Sequence, residues 1–89
     1  MRIVEMVTKV LFFAGLRESL GISGEEMSLP SHISTVADLR AYLMARGGAW
    51  DALAQGKNLR VAVNQRLADP QAAIRDGDEI AFFPPVTGG

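Results

Sequence analysis

The chain has 89 residues, 48% of them hydrophobic, enough for one compact domain with a modest core and short of what two would require. Nine Lys and Arg face ten Asp and Glu with no long run of either sign, which excludes a nucleic-acid footprint and a polybasic membrane anchor and leaves a protein or a small molecule as partner. There is no cysteine, so disulfides, thiolate metal ligands and any thiol nucleophile or persulfide on this chain are excluded too.

From about Val4 to Phe13 the residues are largely β-branched, aromatic or aliphatic, and alternation puts Val10 and Phe12 on one face and Lys9, Leu11 and Phe13 on the other. This predicts a first strand. Glu5 and Lys9 interrupt the stretch and no small-residue cleavage pattern accompanies it, so it reads as neither a signal peptide nor a membrane span, and a cytoplasmic location is expected. A short helix or turn is predicted over "AGLRESLG", between Gly15 and Gly21, and "EEMSLP" reads as a second strand stopped by Pro30 and able to form a hairpin with the first.

The best-marked helix is predicted from about Val36 to Arg46. Thr35 and Asp38 have capping-box spacing, with Asp in place of the usual Glu, and Gly47 offers a left-handed stop. Asp38 and Arg46 suit the two ends of its dipole. Val36, Leu39 and Leu43 share a stripe, with Tyr42 beside it, that should lie on a sheet. The stretch 47–58, with three glycines and the only Trp, reads as a loop holding one helical turn around "WDAL". "LRVAVN" then alternates as a strand, Asn64-Gln65 turns the chain into a short strand near Leu67, and Asp69-Pro70 suits the cap and first position of a helical turn over "DPQAAI". "DGDEIAFF" is a turn and the last strand. One main helix covers only one face of such a sheet, which predicts an α+β fold: a β-grasp, ubiquitin-like roll with a mixed sheet and an extended C-terminal tail. Residues 1–83 form the expected domain and 84–89 the tail.

Conventional catalysis finds no foothold. His32 is the only histidine and reads as a surface loop residue; Asp76, Asp78 and Glu79 lack calcium-loop spacing and read as a solvated turn; Ser19 and Ser23 lack a base partner. No metal site is expected. The tail differs. With Ile80 and Phe82 in the core, Phe83 takes the opposite face, where Ala62 and Leu67 can join it as a docking patch; the competing reading folds Phe83 into a minor core under the loops. Pro84 and Pro85 end the sheet and stiffen the exit, the six residues from Pro84 to Gly89 reach about 20 Å, and Gly88 and Gly89 carry no side chain that a narrow channel would reject. Residues alone leave two readings open: a probe whose reactive atom is the terminal carboxyl, or a functionless frayed end.

The runs "KVLFFAGLRESLG", "VAVNQ" and "DGDEIAFFPPVTGG" resemble the small, sulfur-carrying subunits of molybdopterin synthases, over nearly the whole chain. The departures are the residues before Lys9 and the stretches 21–34 and 47–58. The resemblance implies a β-grasp carrier, not catalytic alone, whose C-terminal Gly89 is adenylated with ATP by a ubiquitin-activating-type adenylyltransferase and converted to a thiocarboxylate. It implies no cofactor bound by this chain. It further implies that Gly88, Thr87, Val86, Pro85 and Pro84 enter a channel in the large synthase subunit, which supplies the acid and base groups, within a heterotetramer that sulfurates a pyranopterin precursor of the molybdenum cofactor. Phe83, Leu67 and Ala62 are the implied partner contacts. A carrier for thiamine or transfer-RNA thiolation, a ubiquitin-like modifier and a passive interaction domain are the alternatives.

Overall fold

The computed structural model describes residues 6–54 and 59–84. In chain order the elements are β1 (Met6–Phe12), α1 (Gly15–Leu20), β2 (Gly24–Leu29), α2 (Val36–Met44), a 3-10 turn (Gly48–Leu53), β3 (Arg60–Val63), β4 (Arg66–Ala68) and β5 (Glu79–Phe83). The five strands form one mixed sheet in the order β2-β1-β5-β3-β4, parallel between β1 and β5 and antiparallel elsewhere. The predicted first strand thus holds from Met6; Val4 and Glu5 lie outside the described residues.

Alternation sorts the sheet into two faces. Val10 and Phe12 of β1, Met27 and Leu29 of β2, Val61 of β3 and Ile80 and Phe82 of β5 are buried beneath Val36, Leu39 and Leu43 of α2. At the heart of this core Phe12 stacks on Phe82 with ring centroids 6.2 Å apart and meets the edge of Trp50 at 5.5 Å. Period two in the strands and the 0, 3, 7 spacing in α2 therefore describe one interface from its two sides. Among the described residues no helix is long and apolar enough to cross a membrane.

The start of α2 follows the sequence closely. Asp38 N–H donates to Thr35 Oγ1 at 3.1 Å and Thr35 N–H donates to Asp38 Oδ2 at 3.2 Å, a complete capping box. Asp38 also accepts from the Ser34 N–H at 3.0 Å and the Ser34 hydroxyl at 3.1 Å. The Ser34 N–H, more than any other group, holds the carboxyl below its ordinary 3.8; the Ser34 hydroxyl and Thr35 act the same way, against partial desolvation. Thr35→Ala is expected to cost about 1 kcal/mol in denaturant unfolding at neutral pH. Because the folded value is depressed, the Asp38 contribution is complete above the unfolded pKa and is lost as pH falls through the folded one. The stability deficit of Asp38→Asn should accordingly be present at pH 7 and shrink below the ordinary carboxylate range, as acid titrations of both proteins would show.

The structure corrects two expectations. The residues of "DPQAAI" form no helical turn: Asp69 Oδ1 accepts from Gln71 N–H at 2.8 Å and Ala72 N–H closes a turn on the Asp69 carbonyl at 3.0 Å. The next carbonyls are needed elsewhere, since Val36 N–H donates to Ala72 O at 3.0 Å and Ala37 N–H to Pro70 O at 2.9 Å. The segment thus satisfies N–H groups that the first turn of α2 leaves without an intrahelical partner. Second, α2 stops at Met44 rather than Arg46, and Gly47, at φ 76° and ψ −176°, has the positive φ that suits glycine but not the ψ of a left-handed helical cap. Arg46 instead reaches Glu25 with both terminal nitrogens, at 3.1 and 3.2 Å, and lies 4.6 Å from the Trp50 ring centre, tying the end of α2 to β2 and the 3-10 turn. The predicted pairing of the first two strands holds: β1 and β2 are antiparallel neighbours, with the predicted short helix, α1, between them and closed by Gly21 at φ 79°.

Candidate functional site: the outer sheet face and the base of the tail

The face of the sheet away from α2 carries a continuous apolar row. Successive registers align Gly24 of β2 with Leu11 of β1, Leu11 with Ala81 of β5, Ala81 with Ala62 of β3, and Ala62 with Leu67 of β4. The row therefore crosses all five strands. Leu67 at its β4 end is 71% exposed. One rung to one side stands a charged row, Glu26–Lys9–Glu79. To the other lie Phe83, opposite Arg60, and Phe13, which is 46% exposed and donates its N–H to Phe82 O at 3.2 Å. The apolar strip is thus bounded by charge on one flank and opens toward the end of β5 on the other.

The strand after this patch leads directly into the tail. Phe83 is half-buried, and Pro84 lines a shallow recess of about 370 Å³ with Leu16 and Ser19 of α1 and Asp51 and Ala52 of the 3-10 turn. The root of the tail is set between two helical elements. Pro85, Val86, Thr87, Gly88 and Gly89 lie outside the described residues.

Polar groups near the opposite end of β5 have structural tasks. Asp76 Oδ1 accepts from Val7 N–H at 2.8 Å, and Asp78 accepts from Arg75 N–H at 2.8 Å and from the Asn64 amide at 2.9 Å. Asn64 and Gln65, at φ 52° and 70°, make the predicted turn between β3 and β4, and the Asn64 side-chain Oδ1 accepts the Glu79 N–H at 3.0 Å. The acidic cluster thus shapes the turn ahead of β5. His32 is exposed on its loop.

The sequence matches the ThiS family over residues 10–89. The chain belongs to the ThiS family. Within it, the chain is 47% identical to the molybdopterin synthase sulfur carrier subunit of Haemophilus influenzae, over 90% of this chain and 96% of that one. Among solved structures, SAMP1 (small archaeal modifier protein 1) of Haloferax volcanii superposes with a TM-score of 0.72 at 28% identity, covering 93% of this chain and 99% of that one. A complex of subunits 1 and 2 of molybdopterin-converting factor from Helicobacter pylori contains a chain with a TM-score of 0.62 at 28% identity, covering 94% and 100%. These likenesses make the architecture the ubiquitin-like β-grasp that the sequence predicts.

Of the residues singled out in the sequence, Ala62 and Leu67 are direct cross-strand partners on the outer face, and Phe83 lies on that face of β5 beside Pro84. Leu11, Ala81 and Gly24 complete the row and were not singled out. Leu11 and Ala81 had a signal, since each stands in alternation with a core residue, but only the parallel β1–β5 pairing brings them together. Gly24 had none: a Cβ there would stand 2.8 Å from Leu11 Cδ2 and 3.0 Å from the Val10 carbonyl oxygen. Gly24→Ala is expected to cost about 1 to 3 kcal/mol in thermal unfolding and to displace the Leu11 methyl resonances from their wild-type positions.

Proposed function

We propose that this chain is the sulfur carrier subunit of a molybdopterin synthase, with Gly89 as the atom-bearing end. The observation that carries the reading is that the outer apolar row lies next to the end of β5: Phe83 is two residues beyond Ala81 on the same face and immediately precedes Pro84, so a partner that covers Ala81, Ala62 and Leu67 is placed to receive whatever follows. The similarity to named carrier subunits supplies the chemistry. The sequence has no thiol, so sulfur has to travel on the backbone terminus.

A carboxylate is a poor electrophile. In the proposed sequence one oxygen of the Gly89 carboxylate attacks the α-phosphorus of ATP on an adenylyltransferase, releasing pyrophosphate and leaving an acyl adenylate. A sulfide-level donor (hydrosulfide) then attacks the acyl carbon and AMP departs, which gives the thiocarboxylate. Docked on the large subunit, the tail's sulfur displaces an oxygen leaving group of the pyranopterin precursor, and hydrolysis of the resulting thioester leaves the sulfur on the precursor and restores the Gly89 carboxylate. Two sulfurs for one dithiolene need two deliveries. Gly88 keeps the approach free of side chains, while Pro84, Pro85, Val86 and Thr87 line the inserted stretch. Phe83, Leu67 and Ala62 contact both partners in turn, so the activating enzyme and the large subunit exclude one another. The chain binds no cofactor and performs no acid–base step; ATP belongs to the activating enzyme and those groups to the large subunit of the heterotetramer.

Reconstitution tests this directly. The thiocarboxylated chain, mixed with a large subunit and precursor, should yield dithiolene product and return as carboxylate; no product from a fully thiocarboxylated chain would refute the assignment. A second reading, protein modification through an isopeptide bond, draws on the likeness to the archaeal modifier. It predicts higher-mass conjugates in cell extract supplied with ATP, where a dedicated carrier gives none.

A further inference from the structure

A second concave surface lies on the other side of the sheet and takes no part in this chemistry. It is a groove of about 460 Å³ between α2 and the β3–β4 edge, walled by Ala37, Ala41 and Met44 on one side and by Leu59, Val61 and Ala68 on the other, with Phe82 beneath. Three features define what fits it. β4 is an edge strand. In the hairpin closed by Asn64-Gln65, Val63–Arg66 and Val61–Ala68 are the bonded pairs and Ala62–Leu67 the open one, so the N–H and C=O of Leu67 are directed off the sheet. Charge supplies the third. Arg40 lines the groove, and the register places Arg66 on the α2 side of β4 with Ala68.

Among the described residues neither of these two arginines is in an ion pair, and Arg40 is held in the groove wall by donating to the carbonyls of Leu53 and Ala54. The one carboxylate on the rim, Asp69, uses an oxygen to accept the Gln71 N–H. An apolar trough rimmed by cations is complementary to an apolar segment flanked by acids. A helix laid in the trough would leave the Leu67 backbone groups unused, whereas an extended chain pairs with them and places alternate side chains between α2 and β4. Met44 adapts the floor to side chains of differing shape.

We propose that this groove binds an extended, acid-flanked apolar segment of a partner protein, added as a strand alongside β4. The occupant's groove-facing side chains lie on the α2 side, opposite the outer apolar row. The inference is independent of the sulfur-carrier reading, which uses the other face.

The test is a titration of the full-length, 15N-labelled chain with a capped peptide of four alternating valines and isoleucines flanked by two glutamates at each end, against the same peptide flanked by lysines. The glutamate peptide is expected to move the amide resonances of Ala37, Ala41, Met44, Arg66, Leu67 and Ala68, and the lysine peptide to bind about tenfold more weakly. Arg66→Glu should weaken the glutamate peptide by about the same factor. Ala41→Glu, at an exposed helical site, should do likewise with the remaining amide spectrum unchanged, and serves if Arg66→Glu disturbs the hairpin. No perturbation at millimolar peptide, equal affinity for both peptides, or perturbations confined to Leu11, Ala81 and Phe83 would each overturn the proposal. So would peptide-free shifts at the groove that grow with protein concentration, which would mean a second copy of the chain there.

Discussion

Deleting Gly89 is expected to abolish adenylation and thiocarboxylation completely while leaving the melting temperature of the chain unchanged. The proposed chemistry occurs at one carboxyl carbon, and shortening the tail by one residue draws that carbon back by about 3.5 Å. That is far beyond what a site aligned for in-line attack tolerates, where a misplacement of about 1 Å already costs about a hundredfold. The core, in contrast, is built by the domain: among the described residues fourteen apolar side chains from Val10 to Phe82 are buried, all ahead of Pro84. Thermal unfolding and pyrophosphate release, measured on the same preparation, separate the two effects. Retained activation, or a large fall in melting temperature, would contradict the division of labour between domain and tail.

Neighbouring phenylalanines on β5 should respond in opposite ways. Phe82 is 1% exposed and stacks on Phe12, so Phe82→Ala is expected to lower stability by about 3 to 5 kcal/mol, combining lost transfer energy with a cavity beside an aromatic partner. Phe83 lies half-buried on the outer face opposite Arg60, and Phe83→Ala should cost only about 1 kcal/mol of stability. Its effect should appear in binding, where loss of a central aromatic weakens the activating enzyme and the large subunit by about 1 to 3 kcal/mol each. Denaturant unfolding and calorimetric titration distinguish the pair. Unchanged affinity of Phe83→Ala for both partners would remove it from the docking face.

What could be read in the chain was whatever local chemistry decides. The alternation of β1 and β5 identified Val10, Phe12, Ile80 and Phe82 as core, since period two leaves no other face for them to share. Thr35 and Asp38 carried the start of α2, and Asn64-Gln65 the β3–β4 turn, because a cap and a positive-φ turn are each settled within four residues. What stayed hidden depends on residues far apart. Nothing in "DPQAAI" announces that its carbonyls serve the first N–H groups of α2, more than thirty positions earlier, and that use denied the segment its own helical turn. Arg46 likewise read as a helix end until Glu25 and Trp50 claimed its side chain.

The candidate site divides along the same line. Phe83, Ala62 and Leu67 followed from alternation counted outward from core residues on β5, β3 and β4. Leu11 and Ala81 required knowledge that β1 and β5 run parallel side by side, a long-range pairing that no window of sequence encodes. Gly24 entered only through the 2.8 Å approach of Leu11, a matter of packing rather than pattern. The roles assigned to Pro85, Val86, Thr87, Gly88 and Gly89 rest on resemblance and chemical reasoning, since those positions lie outside the described residues.

The central claim is that sulfur rides on the terminal carboxyl of this thiol-free chain, and the most direct measurement is its intact mass after incubation with the cognate adenylyltransferase, ATP and a sulfide source. The account predicts a gain equal to sulfur replacing one oxygen, which fragmentation assigns to Gly89 and which disappears when ATP is withheld. An unchanged mass, with the protein folded and the enzyme consuming ATP on a known carrier, would contradict the carrier assignment and leave the tail an ordinary docking segment.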